Sequence, residues 1–322
     1  MSDAEHPSQA LRPHGTIVRS RLGAAALVAL VVLAAGCGSS GSETSTKTTS
    51  ANSNSTTSTT LSASSTTADS AATTDLTSGF EQAAWGDNVT VTVSEGVLRF
   101  QSDGLPNHDR DAEYALPNQG VQVPGASTAV AGEDPTVAQS YDYSIPLTPT
   151  KVAEPTSTSL GLIGVMISGA GLFNPYEGDG STVATASNFS VKNANGDDVW
   201  FLDDCAGHPT PMGQYHYHAL PKCVTAQVDT AAGPSHIIGV AFDGYPIYGD
   251  RDVDGKQLTK DDLDECNGIT SETPEFPDGV YHYVLLDTAD STSSIRCFSG
   301  QVDESLSTMT AMPAMGAMPG AG

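Results

Sequence analysis

A tyrosine and a histidine alternate twice in the segment Tyr215-His216-Tyr217-His218. In an extended strand, successive side chains point to opposite faces, so His216 and His218 share one face and the two tyrosines share the other. Neutral imidazole is a common ligand of zinc and copper. Two imidazoles on one face of a strand are therefore already positioned to bind a transition metal ion, with the tyrosines free to pack behind them.

Other histidines along the chain are candidates for completing such a metal site. A catalytic zinc site or a type 2 copper site commonly uses three histidines and leaves one coordination position open. We predict that His216 and His218 are joined by one or both of His208 and His282, with copper or zinc as the cofactor. Two alternatives stay open. The imidazoles could instead hydrogen-bond to the backbone and to tyrosine hydroxyls inside the core, or do acid–base chemistry without a metal.

The surroundings of these histidines occur twice along the chain. Each copy has an acid-Cys-x-Gly segment, then a Tyr-His-Tyr segment, then a further cysteine. These are residues 204–207, 215–217 and 223 in the first copy, and residues 265–268, 281–283 and 297 in the second. In the second copy, Ile269 and Val284 stand where the first has His208 and His218. We predict one domain with internal pseudo-two-fold symmetry, and one metal site to which the second copy contributes His282 alone.

An acidic loop lies between the two Tyr-His-Tyr segments. Asp250, Asp252 and Asp254 occupy alternate positions and Gly255 follows, which is how a calcium-binding loop of the EF-hand type opens. The twelfth position is Asp261, where a bidentate glutamate is usual. Two interpretations therefore stay open for this segment: a calcium site at Asp250, Asp252 and Asp254, and a solvated turn that ends at a glycine.

Residues 1–36 have the pattern of a bacterial export signal. Arginines at positions 12, 19 and 21 precede an apolar run over residues 22–35, which is too short to span a membrane comfortably. The small residues before Cys37 resemble a lipobox, so we predict that Cys37 is lipidated and anchors the protein to the extracytoplasmic side of the cell membrane. The alternative is an ordinary cleaved signal with an incidental cysteine. Residues 37–78, rich in serine and threonine, are predicted to form a flexible tether.

Four cysteines, Cys205, Cys223, Cys266 and Cys297, remain when Cys37 is set aside. An exported chain folds in an oxidising compartment, which favours two disulfide bonds. Four cysteines can pair in three ways, and the repeat favours one bond inside each copy, Cys205–Cys223 and Cys266–Cys297. The alternative is a metal–thiolate site.

Short strands dominate the predicted secondary structure of the domain, which we place at residues 79–302. Residues 88–93 alternate with period two and lead through a short turn to residues 97–100, which predicts a hairpin. Residues 160–167 and 236–242 are apolar runs with glycines, typical of buried strands. The 32 glycines and 19 prolines of the chain favour many turns. The predicted fold is mainly β, a sandwich or barrel of short strands with an internal duplication and two disulfides.

Composition narrows the range of partners. The chain carries a formal net charge of -25, which excludes binding to nucleic acid through a basic surface. In the tail at residues 303–322, methionine recurs at every third position from Met309 to Met318. Thioethers at this spacing are ligands for Cu(I), and the alternative is a low-complexity tail without a role.

Together, these segments resemble the YHYH-domain family, which is named after the tetrapeptide at residues 215–218. The resemblance covers about residues 140–300 and rests on residues 164–169, 172–175, 205–209, 238–249, 263–268 and 297–300. It implies an exported bacterial protein, and it brings no assigned biochemical activity with it. Members of the family usually have histidines where this chain has Ile269 and Val284, so a symmetric pair of sites is not expected here.

The residues support three hypotheses for the function. In the first, a lipid-anchored protein on the cell surface captures or senses copper or zinc through its clustered histidines. In the second, the same metal serves an extracellular enzyme, a hydrolase or an oxidase, in which one coordination position stays open. In the third, the domain is a structural or adhesive ectodomain whose histidines only stabilise the core.

Overall fold

Strands form most of the regular structure of the domain. The computed structural model describes residues 74–303 and Leu306, and all of these lie in one unit of the chain, residues 66–322. Cys37, the apolar run before it and the methionines of the tail lie outside the described residues. Buried structure begins before residue 79, because Leu76 is fully buried and packs in the main core together with Phe80.

Two short helices and seventeen strands are present among the described residues. In chain order they are α1 (Thr77–Gln82), β1 (Val89–Ser94), β2 (Val97–Ser102), β3 (Glu113–Pro117), β4 (Ala129–Glu133), β5 (Tyr141–Pro146), β6 (Lys151–Ser157), β7 (Leu162–Met166), β8 (Gly171–Phe173), β9 (Ser190–Lys192), β10 (Asp198–Trp200), β11 (Gly207–Pro209), β12 (Tyr215–Tyr217), α2 (Lys222–Val228), β13 (Ile237–Ala241), β14 (Pro246–Tyr248), β15 (Gly268–Ser271), β16 (Val280–Val284) and β17 (Cys297–Gly300). Two 3-10 turns, Lys260–Asp262 and Ser291–Ser293, lie in the connecting loops.

One eight-stranded sheet contains both Tyr-His-Tyr segments. Its strands follow the order β11-β12-β8-β7-β13-β14-β16-β15. The two halves correspond strand for strand, with β7 and β13 side by side at the centre and β11 and β15 at the edges. β12 pairs with β8 in parallel, β14 pairs with β16 in the same way, and the other neighbours are antiparallel. This pseudo-two-fold arrangement confirms the predicted duplication.

The turn that precedes each outermost hairpin is built in the same way in both copies. Asp203 Oδ1 accepts hydrogen bonds from the backbone N–H groups of Cys205 and Gly207, at 2.9 and 3.1 Å, and Oδ2 accepts from the Tyr215 hydroxyl at 2.7 Å. In the second copy the equivalent bonds join Asp264 to Cys266, Gly268 and Tyr281. In each copy a buried tyrosine therefore fixes the Tyr-His-Tyr strand to the turn that carries the cysteine.

Both predicted disulfides are present, one in each copy. Cys205 is bonded to Cys223, with Cα atoms 5.4 Å apart, and Cys266 is bonded to Cys297, with Cα atoms 4.7 Å apart. A glycine is required two residues after the first cysteine of each pair, because a Cβ at that position would collide with the tyrosine hydroxyl. Loops of this length make each disulfide worth about 3 kcal/mol in the chain-entropy treatment.

A three-stranded antiparallel sheet of β1, β2 and β5 shares its apolar core with the eight-stranded sheet. The predicted hairpin is present, with Val91 of β1 opposite Phe100 of β2. Phe100 and Ile145 are fully buried, and the ring of Tyr143 lies 5.2 Å from the ring of Phe242, which follows β13. The predicted mainly β fold is confirmed.

Three two-stranded sheets complete the fold: β3 with β4, β9 with β10, and β6 with β17. Ala115 of β3 packs with Phe201 and Leu202, which follow β10. This small cluster brings an aromatic ring towards the histidines of the first copy. Within the described part of the chain, no helix has the length and apolar character needed to cross a membrane.

Candidate metal centre

Three of the four predicted ligands meet on one face of the eight-stranded sheet. His208 on β11 lies directly opposite His216 on β12, and His218 comes two residues later, so its side chain returns to the same face. All three residues are buried, with at most 8% of their surface exposed. One ring nitrogen from each lies within 4.8 Å of the others. We call these three residues the histidine cluster.

Backbone carbonyls fix the orientation of two of the rings. His216 Nδ1 lies 3.1 Å from the carbonyl oxygen of Gln214, and His218 Nδ1 lies 2.7 Å from that of Asn174. A carbonyl oxygen can only accept a hydrogen bond, so each Nδ1 carries the proton of its neutral ring. Each Nε2 is left with a lone pair, and the two Nε2 atoms face each other 2.9 Å apart. Two lone pairs at this distance repel unless a proton or a metal ion is shared between them.

The third ring carries an unsatisfied nitrogen. His208 Nε2 is buried and has no hydrogen-bond partner among the described residues. Leaving a buried polar atom without a partner costs about 1–3 kcal/mol. A zinc or copper ion bonded to the three imidazoles would remove this cost together with the lone-pair repulsion, because metal–nitrogen bonds of about 2.0–2.1 Å need converging rings of this kind. The residues present therefore fit a transition metal ion.

Burial keeps the histidine cluster neutral. Desolvation lowers the pKa of His208 and of His216 well below its ordinary value, and the charge of neighbouring imidazoles lowers both further. Burial also lowers the pKa of His218, to about 4, although its bond to the Asn174 carbonyl acts in the opposite direction. A metal ligand must offer a lone pair, so imidazoles that stay unprotonated at neutral pH are ready to bind.

Aromatic rings hold two of the imidazoles in place. Phe173 of β8 stacks on His216, with ring centroids 3.7 Å apart. The ring of Phe201 lies 4.2 Å from that of His208. Neither imidazole can turn away without displacing a buried aromatic ring, so the ligand directions are set before any ion binds.

The sequence around the histidine cluster matches one protein family. The family model described as YHYH protein matches residues 142–261 and 251–300. These residues include all eight strands of the large sheet, the histidine cluster and both disulfides. The chain is a YHYH-domain protein. Neither the curated proteins nor the solved structures gave a significant match, so functional conclusions for this YHYH domain rest on its geometry.

His282 does not join the histidine cluster of the YHYH domain. It lies on β16, five steps across the sheet from β12, which is about 24 Å at the usual strand spacing. Its Nδ1 donates to the carbonyl oxygen of Val280 at 3.1 Å, and its ring lies 4.8 Å from that of Tyr248. The sequence predicts His282 beside His216, and this convergence is not observed. The pseudo-two-fold axis runs between β7 and β13, so equivalent residues lie in opposite halves of the sheet.

The region of the second copy that corresponds to the histidine cluster is apolar. Ile269 lies directly opposite His282. Val284 is fully buried and packs with Leu258, Leu286 and the partly buried Ile269. The second copy of the YHYH domain therefore offers one imidazole where the first offers three.

The acidic loop forms a tight turn. The Asp252 carboxylate accepts hydrogen bonds from the backbone N–H groups of Asp254 and Lys256, at 3.0 and 2.8 Å, and Asp250 accepts one from the Gln257 side chain at 2.8 Å. Asp250, Asp252 and Asp254 are not among the groups of converging ligand atoms in the described part of the chain. The geometry gives no support to calcium and agrees with the alternative of a solvated turn.

Two other histidines have partners elsewhere. The Nδ1 of the partly exposed His236 lies 2.8 Å from the Glu275 carboxylate. His108, which the sequence pattern does not single out, lies with Nδ1 3.5 Å from Cys205 Sγ and Nε2 2.7 Å from the Tyr217 hydroxyl. His108 and the two sulfurs of the disulfide also form a group of converging atoms. Those sulfurs are bonded to each other and are not thiolates, so we assign this group no metal.

A pocket of about 250 Å³ opens onto the histidine cluster. Apart from the cluster, its wall is mostly apolar and includes Pro117, Val121, Pro124, Leu160, Phe173 and Phe201. Glu177 also lines it. The loop after β8 supplies both the Asn174 carbonyl that binds His218 and, three residues later, Glu177. Spacing alone could not identify this carboxyl, because nothing distinguishes it from the many others in so acidic a chain.

Proposed function

We propose that the YHYH domain binds a transition metal ion through His208, His216 and His218. The proposal is carried by the two Nε2 lone pairs that face each other 2.9 Å apart, on rings whose Nδ1–H groups are committed to backbone carbonyls. Without an ion, nothing offsets the repulsion between the two facing Nε2 lone pairs or the cost of the unsatisfied His208 Nε2. With an ion, the histidine cluster is a three-imidazole ligand set whose outer hydrogen bonds are already made.

The ligand chemistry points to zinc or copper. Three neutral imidazoles without a thiolate or carboxylate suit Zn²⁺ and Cu²⁺, and the set is a poor match for magnesium or calcium, which prefer oxygen. No fourth histidine, cysteine, aspartate or glutamate brings a ligand atom to the three among the described residues. Three protein ligands with one position left open is the arrangement of catalytic rather than structural zinc sites. Such an ion would supply a Lewis acid and an acidified bound water.

The pocket favours a metal-dependent enzyme as the second candidate function. A site that only captures or senses an ion has no need of an apolar pocket beside an open coordination position. An enzyme does need one, because its substrate must reach the metal in a space from which water is largely excluded. Whether the reaction is a hydrolysis or an oxidation depends on which of the two metals binds.

We further propose that the YHYH domain works on the extracytoplasmic side of the membrane, attached by a lipid at Cys37. Support comes from the export-type segment that precedes Cys37 and from the two disulfides of the domain, since disulfides persist in oxidising compartments.

The second copy suggests how to test the metal site without unfolding the domain. The double variant His208→Ile, His218→Val gives the first copy the residues that the second copy already has. We expect the full-length wild-type chain to bind one equivalent of zinc or copper, measured by elemental analysis after dialysis. The double variant should lose at least a hundredfold in affinity, because two ligands are gone, whereas His282→Ala should bind like the wild type. A wild type that holds no stoichiometric metal, or a double variant that retains it, would overturn the proposal.

A further inference from the structure

The pocket over the histidine cluster is suited to a small apolar molecule. Its volume is about 250 Å³, and an apolar cavity of about 150 Å³ is enough to bind benzene. Phe173, Phe201 and Leu160 form part of its wall. At its edge, Met212 exposes 81% of its surface, so the entrance is apolar as well. A molecule of one ring, or a short branched chain, fits this space.

The charge of the lining disfavours anionic ligands in the same pocket while no metal is bound. No lysine or arginine is among its described lining residues, so in the metal-free protein a phosphate or carboxylate group would find no counter-ion there. Glu177 is the one acidic side chain in that lining. Only 7% of Glu177 is exposed, and such burial of a charged carboxylate is costly unless it is paired.

The Glu177 carboxyl has an unused hydrogen-bonding position. Its Oε1 atom is buried without a hydrogen-bond partner among the described residues. Burial, followed by the charge of Asp179, raises the pKa of Glu177 to about 8. At neutral pH the group is therefore mostly a neutral carboxylic acid, with one O–H to donate and oxygens that can accept. A ligand that met this group with an alcohol or carbonyl oxygen would satisfy it.

We propose that the pocket binds a small, largely apolar alcohol or carbonyl compound, whose oxygen is recognised by Glu177 and by the open position of the metal. The apolar part of the molecule packs against Phe173, Phe201 and the proline-rich wall. This names the substrate class of the metal centre and so rests on the proposed function for the metal contact. The contact with Glu177 and the apolar wall needs no metal. Glu177 is then the group that can give a proton to the bound oxygen or take one from it.

A matched series of probes tests the proposal on the full-length chain. Benzyl alcohol and toluene share a ring and differ in one hydroxyl group, and benzoate adds a negative charge. Their affinities are measured by NMR titration with the metal removed and again with zinc bound. We expect benzyl alcohol to bind at least fivefold more tightly than toluene without metal, and the ratio to rise at least threefold further with zinc. Benzoate should not bind the metal-free protein.

Two variants assign the effect to the pocket. Glu177→Leu keeps the size of the side chain and removes its hydrogen bond, so the preference for benzyl alcohol in the metal-free protein should fall to about onefold while toluene still binds. Val121→Trp fills the pocket and should abolish binding of both probes. Equal affinity of the two probes for the wild type, or a preference that survives Glu177→Leu, would overturn the inference.

The outcomes for the metal and for the pocket can be told apart. If zinc does not bind but benzyl alcohol is preferred through Glu177, the proposed metal function fails and the pocket assignment stands without it. If zinc binds through the histidine cluster but neither probe binds in the pocket, the metal site stands and the substrate class is wrong.

Discussion

His216 and His282 provide a matched pair for testing the metal site. They occupy equivalent positions on β12 and β16, both are buried, and each donates Nδ1–H to the carbonyl two residues earlier at 3.1 Å. Replacing either by alanine removes a similar volume of packing and one hydrogen bond, which lowers the free energy of unfolding by about 2–4 kcal/mol. The two positions differ in their surroundings, because His216 alone of the pair faces two more imidazoles.

This difference predicts that the order of the two variants reverses when metal is added. Without metal, His216→Ala should lower the free energy of unfolding by about 1–2 kcal/mol less than His282→Ala does. The reason is that His216→Ala also removes the repulsion between two lone pairs. Zinc at a hundred times its Kd stabilises the wild type by about 2.7 kcal/mol. His282→Ala should keep that gain and His216→Ala should lose most of it. For a domain of this size, Tm changes by about 2–4 °C for each kcal/mol of stability. Zinc should therefore raise the Tm of His282→Ala by about 5–10 °C.

The assay is thermal unfolding of the wild type and both variants, followed by circular dichroism in EDTA and in excess zinc. Mass spectrometry confirms that both disulfides are formed in every sample, so a Tm change cannot come from a lost crosslink. If zinc raises the Tm of His216→Ala as much as that of His282→Ala, the ion binds elsewhere. If zinc shifts none of the three proteins and both variants lose the same stability, the histidine cluster is a structural feature of the core.

Three further predictions concern other parts of the chain. Ile269→His with Val284→His should raise the bound zinc from one equivalent to two by elemental analysis; a folded variant that stays at one would show that the second copy cannot converge its ligands. Burial raises the pKa of Glu177 to about 8, so the folded state keeps a proton that the unfolded state releases. Between pH 4.5 and 8 the wild type should therefore lose stability relative to Glu177→Gln, by at most about 5 kcal/mol in urea unfolding; parallel pH profiles would contradict this. Cys37→Ser should move the protein from the membrane fraction to the soluble fraction. If the variant stays in the membrane fraction, the apolar run is the anchor.

Local features of the fold could be predicted from the sequence because they depend on neighbouring residues. Period-two alternation predicted the hairpin of β1 and β2, which the structure contains. The same alternation predicted that His216 and His218 lie on one face of a strand. The repeat gave the pairing of both disulfides. His208 joined the correct face because the acid-Cys-x-Gly turn places it in a hairpin directly opposite His216. In each case the relevant contacts are made within one copy of the repeat.

Relations between the two copies could not be predicted in the same way. Where the pseudo-two-fold axis passes depends on β7 pairing with β13, and both strands are uniformly apolar runs that indicate burial without indicating a partner. That pairing moves His282 to the far half of the sheet. The role of Glu177 depends on the path of an irregular loop after β8, which no periodicity encodes.

Comparison of the two copies also shows that the histidines of the first copy cost folding stability. The second copy keeps the Asp264 turn, the disulfide and the tyrosine of its strand, yet it fills the positions of two imidazoles with Ile269 and Val284 in an apolar cluster. The scaffold is thus fully compatible with hydrophobic residues at these positions, where they contribute packing and leave no polar atom unsatisfied. In the first copy, burial in the same scaffold lowers the pKa of each histidine, and one ring nitrogen is left without a partner among the described residues. If these positions served stability alone, hydrophobic residues like those of the second copy would serve it better. The three histidines of the first copy are therefore best explained by a ligand that they bind together.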